Sequence, residues 1–305
     1  MRLSSPSVFR SPEGRQELLT LYERALGELS AQVERTEIPT RFGPTNVLML
    51  GPEDAPPVVV HQGGNFPNPV TLGWFVPLAS RWRIHAPDLP GAPGYSAPRH
   101  LDGRKGQFHE WALDVLDGLG LDRAPHLGAS FGAGVILETA AKAPDRVERM
   151  GLIAPAGVIK PAIWALLTWL ALPMIRYRLR PTRANLLAAV GPLHTDPPSE
   201  LLLDTHAAVF RHLRLAHRMP GPVDGKALAA FKGPTLIVAA EDDPLFPAQP
   251  LLERARVLLP HARMMVLAGS RHFPSADDQH RIGEALLDFM QAMSPAEAPE
   301  ADITP

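Results

Sequence analysis

Short apolar runs of strand length alternate along this chain with stretches of helical periodicity, and this alternation restricts the possible fold more than any other feature. The run Val58-Val59-Val60 has no polar residue within it, which is typical of a strand buried on both faces of a parallel sheet. The alternating segments that follow are 82–86, 108–119, 125–128, 131–143, 147–153, 235–239, 247–259, 264–267 and 277–293. A series of βαβ units of this kind predicts an α/β protein with a mostly parallel, doubly wound sheet.

Two further features precede that series. Residues 14–30 have apolar side chains at spacings of three and four, which predicts an amphipathic helix. The extended runs 37–42 and 45–50 are separated by Gly43-Pro44, which favours a turn. We therefore expect these two runs to form an antiparallel hairpin.

The series is interrupted between residues 156 and 232, where the composition is helical and several prolines divide the segment. We predict an α/β core made of residues 1–155 and 233–293, with residues 156–232 inserted as a helical cap. The tail, residues 294–305, is rich in Pro, Ala and Glu and is predicted to be disordered.

Composition excludes several classes of protein. The formal net charge of −2 provides no basic face for nucleic acid. Because the chain lacks cysteine, disulfides, thiolate catalysis and Cys-based zinc sites are excluded. The apolar stretch 162–175 is interrupted by Pro173 and is shorter than the ~20 residues that a membrane-spanning helix needs. Since residues 1–10 also contain no apolar run of signal-peptide length, we predict a cytoplasmic protein without a transmembrane segment.

One pentapeptide indicates a nucleophile. Gly128-Ala129-Ser130-Phe131-Gly132 lies between a short apolar run and a predicted helix, the context that a G-x-S-x-G motif requires. A serine at such a sharp turn has a strained backbone, and glycine two positions before and after it relieves the crowding. A Gly-rich turn without chemistry explains the isolated pentapeptide equally well. The interpretation of Ser130 as a nucleophile therefore depends on a histidine base and an acid elsewhere in the chain.

A serine hydroxyl becomes a nucleophile when a histidine takes its proton and a carboxylate orients that histidine, and in this type of fold the acid precedes the histidine. Glu241, Asp242 and Asp243 follow one predicted strand, and His272 follows the next. Both loops lie where the carboxyl ends of parallel strands form a crevice. We predict His272 as the base and Asp243 as the orienting acid, because Pro244 biases Asp243 toward an extended backbone.

Acyl transfer also needs N–H donors for the oxyanion of the tetrahedral intermediate. The amide of Phe131, at the start of the predicted helix, is the first predicted donor. The second is assigned to Gly63 or Gly64, where the lack of a side chain lets the backbone approach a substrate. A flexible turn without this role remains the alternative for these glycines.

These motifs, in this order, resemble those of the α/β-hydrolase superfamily over residues 37–293. His61-Gln62-Gly63-Gly64 is similar to the oxyanion-loop motif of that family, and Asp88-Leu89-Pro90-Gly91 resembles its D-x-P-G turn. Residues 41–45, Arg-Phe-Gly-Pro-Thr, together with residues 51–57 are similar to carboxylesterases of the naproxen-esterase type. Gln62 departs from the usual glycine and leaves open which amide completes the oxyanion hole, and Ala129 stands where the elbow often has histidine.

The resemblance implies a serine esterase that works through an acyl-enzyme and needs neither a cofactor nor a metal. Its partner would be a small-molecule ester with an apolar acyl or alcohol group, while the oligomeric state stays open. The same triad would also suit a carbon–carbon bond hydrolase, a lactonase or thioesterase, or a perhydrolase. A homologue that binds a ligand without turnover is a further alternative, because a fold does not dictate its function.

The predicted cap contains apolar residues over most of 164–175, among them Trp164 and Trp169. Such a segment is expected to pack in a core, with the alternative that the two tryptophans roof an acyl pocket and bind the substrate. His206, His212 and His217 do not share one helical face, so we predict surface positions for them rather than a metal site.

Overall fold

The computed structural model of the protein describes residues 7–161, 166–215 and 219–292. These residues contain an eight-stranded sheet with the strand order β1-β2-β4-β3-β5-β6-β7-β8. The strands are β1 Glu34–Thr40, β2 Gly43–Leu50, β3 Pro57–His61, β4 Arg83–Pro87, β5 Ala124–Ala129, β6 Val147–Ile153, β7 Thr235–Ala240 and β8 Arg263–Leu267. The predicted α/β class is therefore confirmed.

Strand direction follows the sequence pattern. The predicted hairpin is present, since β1 and β2 pair antiparallel with Thr40 opposite Gly43. Strand β2 is also antiparallel to β4, and all other neighbours in the sheet pair parallel. The carboxyl ends of β3, β5, β7 and β8 therefore meet at one edge of the sheet, where parallel sheets form a ligand-binding crevice.

Helices cover both faces of the sheet. They are α1 Pro12–Gly27, α2 Asn68–Leu72, α3 Gln107–Gly118, α4 Phe131–Lys142, α5 Leu172–Leu179, α6 Arg183–Val190, α7 Glu200–His212, α8 Gly225–Leu228, α9 Ala248–Leu258 and α10 Ala276–Gln291. In β7, Leu236 belongs to the same buried cluster as Leu286 of α10. Its neighbour Ile237 belongs to the opposite cluster, with Leu251 of α9. Each face of the sheet thus has its own apolar core, as in a doubly wound fold.

The segment between β6 and β7 is helical where it is described. It contains a π-helical turn, Leu166–Ala171, and helices α5 to α8. Leu18 and Leu21 of α1 share a buried cluster with Leu203 and Val209 of α7, so the N-terminal helix packs on this segment. The exact division into core and cap stays a prediction, and the tail 294–305 lies outside the described residues.

None of the described helices is both long and apolar enough to cross a lipid bilayer.

Candidate active site

Ser130 lies at the junction of β5 and α4, in a backbone conformation that few residues adopt. Its φ is +50° and its ψ is −110°. A positive φ in a residue other than glycine is strained and persists only where the surroundings enforce it. Strain of this kind is typical of the nucleophile elbow, which lifts the side chain away from the strand and the helix that flank it.

The flanking glycines have a steric reason that can be read from their neighbours. A Cβ on Gly128 would lie 2.9 Å from the backbone carbonyl carbon of Gly132. A Cβ on Gly132 would lie 2.6 Å from the carbonyl oxygen of Gln62. Real Cβ atoms do not approach other atoms so closely, so the turn between β5 and α4 cannot carry a side chain at either position. The sequence motif and the tight turn therefore have the same cause.

Asp243 and His272 are in direct contact. Nδ1 of His272 lies 2.7 Å from Oδ2 of Asp243. The other carboxylate oxygen, Oδ1, accepts the amides of Leu245 at 2.7 Å and Phe246 at 3.2 Å. An ionised carboxylate only accepts, so it holds the imidazole proton on Nδ1 and leaves the lone pair of Nε2 free to accept another.

The three consecutive acids have different surroundings. Asp243 is 1% exposed, while Glu241 and Asp242 are exposed. The side chain of Glu241 accepts the amide of Gly269 at 2.8 Å, within the loop that leads to His272. The backbone amide of Asp242 donates to the carbonyl of Ser270 at 2.9 Å. Of these acids, Asp243 is the one whose carboxylate reaches the histidine.

Ser130 and His272 line one cavity of about 140 Å³. In the described part of the chain no hydrogen bond joins the two side chains, and such a bond is often long until a substrate binds. Most of the lining is apolar and aromatic, and it includes Trp74, Phe210 and Met219. The arrangement can therefore receive an apolar group next to a hydroxyl and an imidazole.

The predicted oxyanion donors lie at the same cavity. Gly63, Gly64 and Phe131 all contribute to its lining. The amide of Phe131 is at the N-terminus of α4, where no preceding turn supplies a carbonyl partner. The amide of Gly63 donates to Oγ1 of Thr71 at 3.3 Å. Gly64 packs so closely on Phe131 that a Cβ would lie 2.8 Å from Cδ2 of that ring.

Gln62, which departs from the family pattern, has a structural function that the sequence did not reveal. Its side chain is 2% exposed. Nε2 donates to the carbonyl of Phe66 at 2.6 Å, and Oε1 accepts the amide of Leu89 at 2.8 Å. The side chain thus fixes the glycine loop to the turn after β4. Nothing in the local sequence predicts these two partners.

Asp88, which begins that turn, is a fully buried carboxylate, and none of the described residues gives it a basic partner. It accepts hydrogen bonds from Tyr22 Oη at 2.9 Å, Asn46 Nδ2 at 3.0 Å, Asn68 Nδ2 at 3.1 Å and the Tyr95 amide at 3.0 Å. Burial raises the pKa of Asp88 to about 6, although these donors act to lower it. The Asp88 carboxylate thus joins α1, α2 and β2 to the turn after β4.

A pair of buried histidines adjoins the cavity, and the prediction of a surface position for His206 was wrong. His206 is 2% exposed, and its Nε2 lies 2.9 Å from Nε2 of His194. His206 lines the cavity. Burial, followed by the neighbouring His194, holds the pKa of His206 well below its usual value, so its imidazole is neutral. His212 instead contacts Glu17 of α1 at 2.9 Å, and His217 lies outside the described residues.

The structure does not test the prediction that Trp164 and Trp169 bind the substrate. Trp164 and the side chain of Trp169 lie outside the part of the chain that is described. The expectation that the apolar segment 164–175 is buried was wrong for three of its residues, since Leu167 is 45%, Leu172 is 60% and Ile175 is 48% exposed.

Comparison with known proteins identifies the family. A model described as "Alpha/beta hydrolase family" matches residues 58–285, which is more than half of the chain. The chain therefore belongs to the α/β hydrolase family, as the motifs around Ser130, Asp243 and His272 predicted.

The individual relatives share less than a third of their residues with this chain. Carboxylesterase YbfK of Bacillus subtilis is 25% identical over 282 residues, which cover 88% of this chain and 92% of that protein. A 2-hydroxymuconate semialdehyde hydrolase of Pseudomonas putida is 29% identical over 252 residues, covering 78% of this chain and 88% of that protein. The solved structure of naproxen esterase from Bacillus subtilis has a TM-score of 0.81 at 22% identity, with 92% of this chain and 99% of that chain covered. The predicted resemblance to carboxylesterases of this type is confirmed.

Proposed function

We propose that the protein hydrolyses carboxylic esters through an acyl-enzyme formed on Ser130. The observation that carries the proposal is the 2.7 Å contact between His272 Nδ1 and Asp243 Oδ2 beside the strained Ser130, with Ser130 and His272 at one cavity. The names of the relatives, a carboxylesterase and a naproxen esterase among them, support an ester as the substrate.

In the proposed mechanism, Nε2 of His272 takes the hydroxyl proton as Ser130 attacks the ester carbonyl. His272 then gives that proton to the departing alcohol. A water molecule, activated in the same way, releases the carboxylic acid from the serine. Asp243 stabilises the imidazolium that forms in each half of the cycle and keeps the ring in the productive tautomer.

The oxyanion would be stabilised by the amide of Phe131 together with that of Gly63 or Gly64. Gln62 supports this role because its two hydrogen bonds fix the glycine loop in place. Donors that are fixed before the reaction stabilise developing charge without the cost of reorganisation.

The apolar lining of the cavity favours an ester with an apolar acyl or alcohol group. Trp164 and Trp169 remain the predicted roof of this pocket. A location in the cytoplasm is proposed from composition alone, since the chain lacks cysteine.

The test combines labelling with kinetics. A fluorophosphonate should label the wild type on Ser130, as located by mass spectrometry, and p-nitrophenyl esters of graded acyl length should be cleaved. Ser130→Ala should abolish labelling and lower kcat by a factor on the order of 10⁴ to 10⁶. The exposed Ser80 provides a matched control, because Ser80→Ala should change neither measurement. An adduct at another residue, or full activity in Ser130→Ala, would refute the proposal.

Hydrolysis of a carbon–carbon bond is a second candidate, because the 2-hydroxymuconate semialdehyde hydrolase covers most of the chain at 29% identity. A carbon–carbon substrate turned over with a higher kcat/KM than every p-nitrophenyl ester would favour this reaction over ester cleavage.

A further inference from the structure

We propose that the outer face of α5 docks on an anionic lipid bilayer, so that the esters hydrolysed at Ser130 come from, or are dissolved in, that membrane. We call this surface the α5 face and define it by Leu172, Ile175 and Leu179 with the flanking Arg176 and Arg178. The docking itself is independent of the proposed ester hydrolysis, whereas the source of the substrate rests on it.

Exposed apolar side chains are concentrated in this segment. Of the seven large hydrophobic residues that are exposed in the described part of the chain, five lie between residues 167 and 187. On α5, Leu179 is 83%, Leu172 is 60% and Ile175 is 48% exposed. Single exposed leucines are ordinary, but a group on one element marks an interaction surface.

The three apolar side chains form one stripe along the helix. At about 100° per residue, Leu172, Ile175 and Leu179 project within about 60° of one another. Arg176 borders the stripe on one side and Arg178 on the other. The opposite side of the helix is directed inward, where Tyr177 is 5% exposed. An apolar stripe between arginines is the pattern of a helix that lies in the membrane interface.

The chain on both sides of α5 contains basic residues but no acidic ones. No acidic residue occurs between Glu148 and Asp196. The same interval contains six basic residues, Arg149, Lys160, Arg176, Arg178, Arg180 and Arg183. Arg149 is buried and Arg183 pairs with Glu200 at 2.6 Å, so the exposed positive charge of this interval near α5 is that of Arg176, Arg178 and Arg180.

A cleft beside α5 extends this charge. It has a volume of about 260 Å³ and is lined by Arg10, Arg178, Pro181 and Arg211. The pKa of Arg178 is lowered by burial and then by the neighbouring Arg10, so these two cations repel one another, whereas Arg211 pairs with Glu17 at 2.6 Å. Phosphate groups of lipid heads would relieve this repulsion.

The positive charge of the α5 face also favours a lipid bilayer over a second copy of the chain as the partner of this face. A dimer formed through this face by a two-fold axis would bring the arginines of both copies together. An anionic bilayer instead supplies opposite charge to the arginines and hydrocarbon to the leucines.

The α5 face is close to the candidate active site. Tyr177, on the inner side of α5, packs on Phe210 with ring centroids 6.1 Å apart. Phe210 lines the cavity that contains Ser130 and His272. The side chains of Tyr177 and Phe210 therefore lie between the proposed membrane contact and the cavity. An apolar ester that leaves the membrane would have a short path to Ser130.

The experiment measures co-sedimentation of the full chain with vesicles of phosphatidylcholine alone or mixed equally with phosphatidylglycerol. Wild type should bind the anionic vesicles, and binding should weaken at about 0.5 M salt. The triple variant Leu172→Ser/Ile175→Ser/Leu179→Ser should bind at least about tenfold more weakly, because it no longer buries the apolar surface of these three side chains in the membrane interface. Arg176→Gln/Arg180→Gln, which replaces one arginine of the α5 face and the arginine at the C-terminal cap of α5, should lower binding to the anionic vesicles by about 25-fold, since each arginine near such a surface contributes about fivefold.

Controls separate this inference from the proposed function. Val257 is 71% exposed on α9, outside the α5 face, and Val257→Ser should bind vesicles like the wild type. All of these variants should keep the wild-type rate on water-soluble p-nitrophenyl acetate, and Ser130→Ala should keep the vesicle binding. If wild type does not bind anionic vesicles, or the triple variant binds them equally well, the inference is wrong. A wild-type dimer that the triple variant converts to a monomer, without vesicle binding, would assign the face to a second copy instead.

Discussion

The ring of Phe273, the residue that follows His272, stacks on the ring of His194 with centroids 4.4 Å apart and planes at 12°. His194 belongs to the helical segment between β6 and β7, whereas Phe273 belongs to the loop after β8. Backbone bonds reinforce the contact, since the Phe273 amide donates to Leu193 at 2.8 Å and the Thr195 amide donates to Phe273 at 3.0 Å. The position of the proposed base thus depends on the segment that covers the cavity.

The hydroxyl of Thr195 tests this dependence. Its Oγ1 accepts the amide of Arg271 at 2.9 Å and donates to the carbonyl of Phe273 at 3.0 Å. Thr195→Val should leave that amide without its partner, destabilise the protein by about 1–3 kcal/mol and lower kcat by about tenfold through a displaced His272. Stopped-flow kinetics and urea unfolding measure the two effects.

The control for this variant is Thr205→Val, which removes a buried hydroxyl bonded at 2.7 Å to Leu201 within its own helix. It should leave kcat near the wild-type value. Equal kcat in the Thr195 and Thr205 variants would show that the contact does not position the base.

Gln62 provides a second prediction. Gln62→Ala should leave the amide of Leu89 and the carbonyl of Phe66 without partners and loosen the glycine loop. We expect kcat to fall by about tenfold, less than the roughly 10² to 10³ that follows removal of an oxyanion donor itself, with little change in KM. Gln249→Ala is the matched control, because that side chain is exposed and contacts only Glu253 at 3.2 Å among the bonds described. Unchanged kcat in folded Gln62→Ala would argue against the role of the loop.

Buried histidines predict how stability depends on pH. Burial lowers the pKa of His126 and His194 from 6.5 to about 4, and it also holds the pKa of His61 and His206 well below the usual value. Between about pH 6.5 and 4 the unfolded chain therefore binds protons that the folded chain does not, and the free energy of unfolding falls as pH falls. Asp88 acts in the opposite direction, because its pKa is raised from 3.8 to about 6. Burial also lowers the pKa of His85 to about 4 and raises that of Glu138, so five histidines outweigh two carboxylates and acid should destabilise the protein.

Urea unfolding at about pH 7.5 and about pH 5 measures this dependence. His126→Gln removes one titrating group and should flatten the decrease between the two pH values. His280 is an exposed histidine, and its replacement by glutamine should leave the decrease unchanged. A free energy of unfolding that rises toward pH 5 would contradict the assignment of neutral buried histidines.

Much of the fold could be predicted because it is encoded locally. The run 147–153 was predicted with the bounds of β6, and the predicted helix 14–30 was displaced from α1, Pro12–Gly27, by two to three residues. The ends of a helix depend on its capping residues rather than on its apolar periodicity. Here Ser11 caps α1, because its hydroxyl accepts the amide of Gly14 at 3.0 Å.

The site was predictable only in part. Ser130, Asp243 and His272 each follow a strand, so order along the chain was enough to propose them. The pairing of His194 with His206 depends on two segments that meet only in the folded protein, and no local pattern indicates it. The exposure of Leu172 and Ile175 was missed for a related reason, because apolar composition alone cannot distinguish a buried core from an apolar surface.

The choice among the three acids after β7 allows the sharpest substitution test. The orienting group must accept the Nδ1 proton of His272, and Asp243 does so at 2.7 Å while its other oxygen is fixed by backbone amides. Asp243→Asn can present an amide N–H to the ring instead, which favours the tautomer with the proton on Nε2 and removes the base. We expect kcat to fall by up to about 10⁴ with folding intact.

The neighbouring acids are the matched controls for this prediction. Asp242 is exposed, and Glu241 contacts the backbone of Gly269 rather than the ring. Asp242→Asn and Glu241→Gln should each lower kcat by less than about tenfold, because they remove charge without changing the tautomer. The pH profile of kcat/KM distinguishes the two effects, since wild type and both controls should share one profile, which rises from acid pH and levels off where the base is neutral. A folded Asp242→Asn that loses more activity than Asp243→Asn would move the orienting role to Asp242 and leave the roles of Ser130 and His272 unchanged.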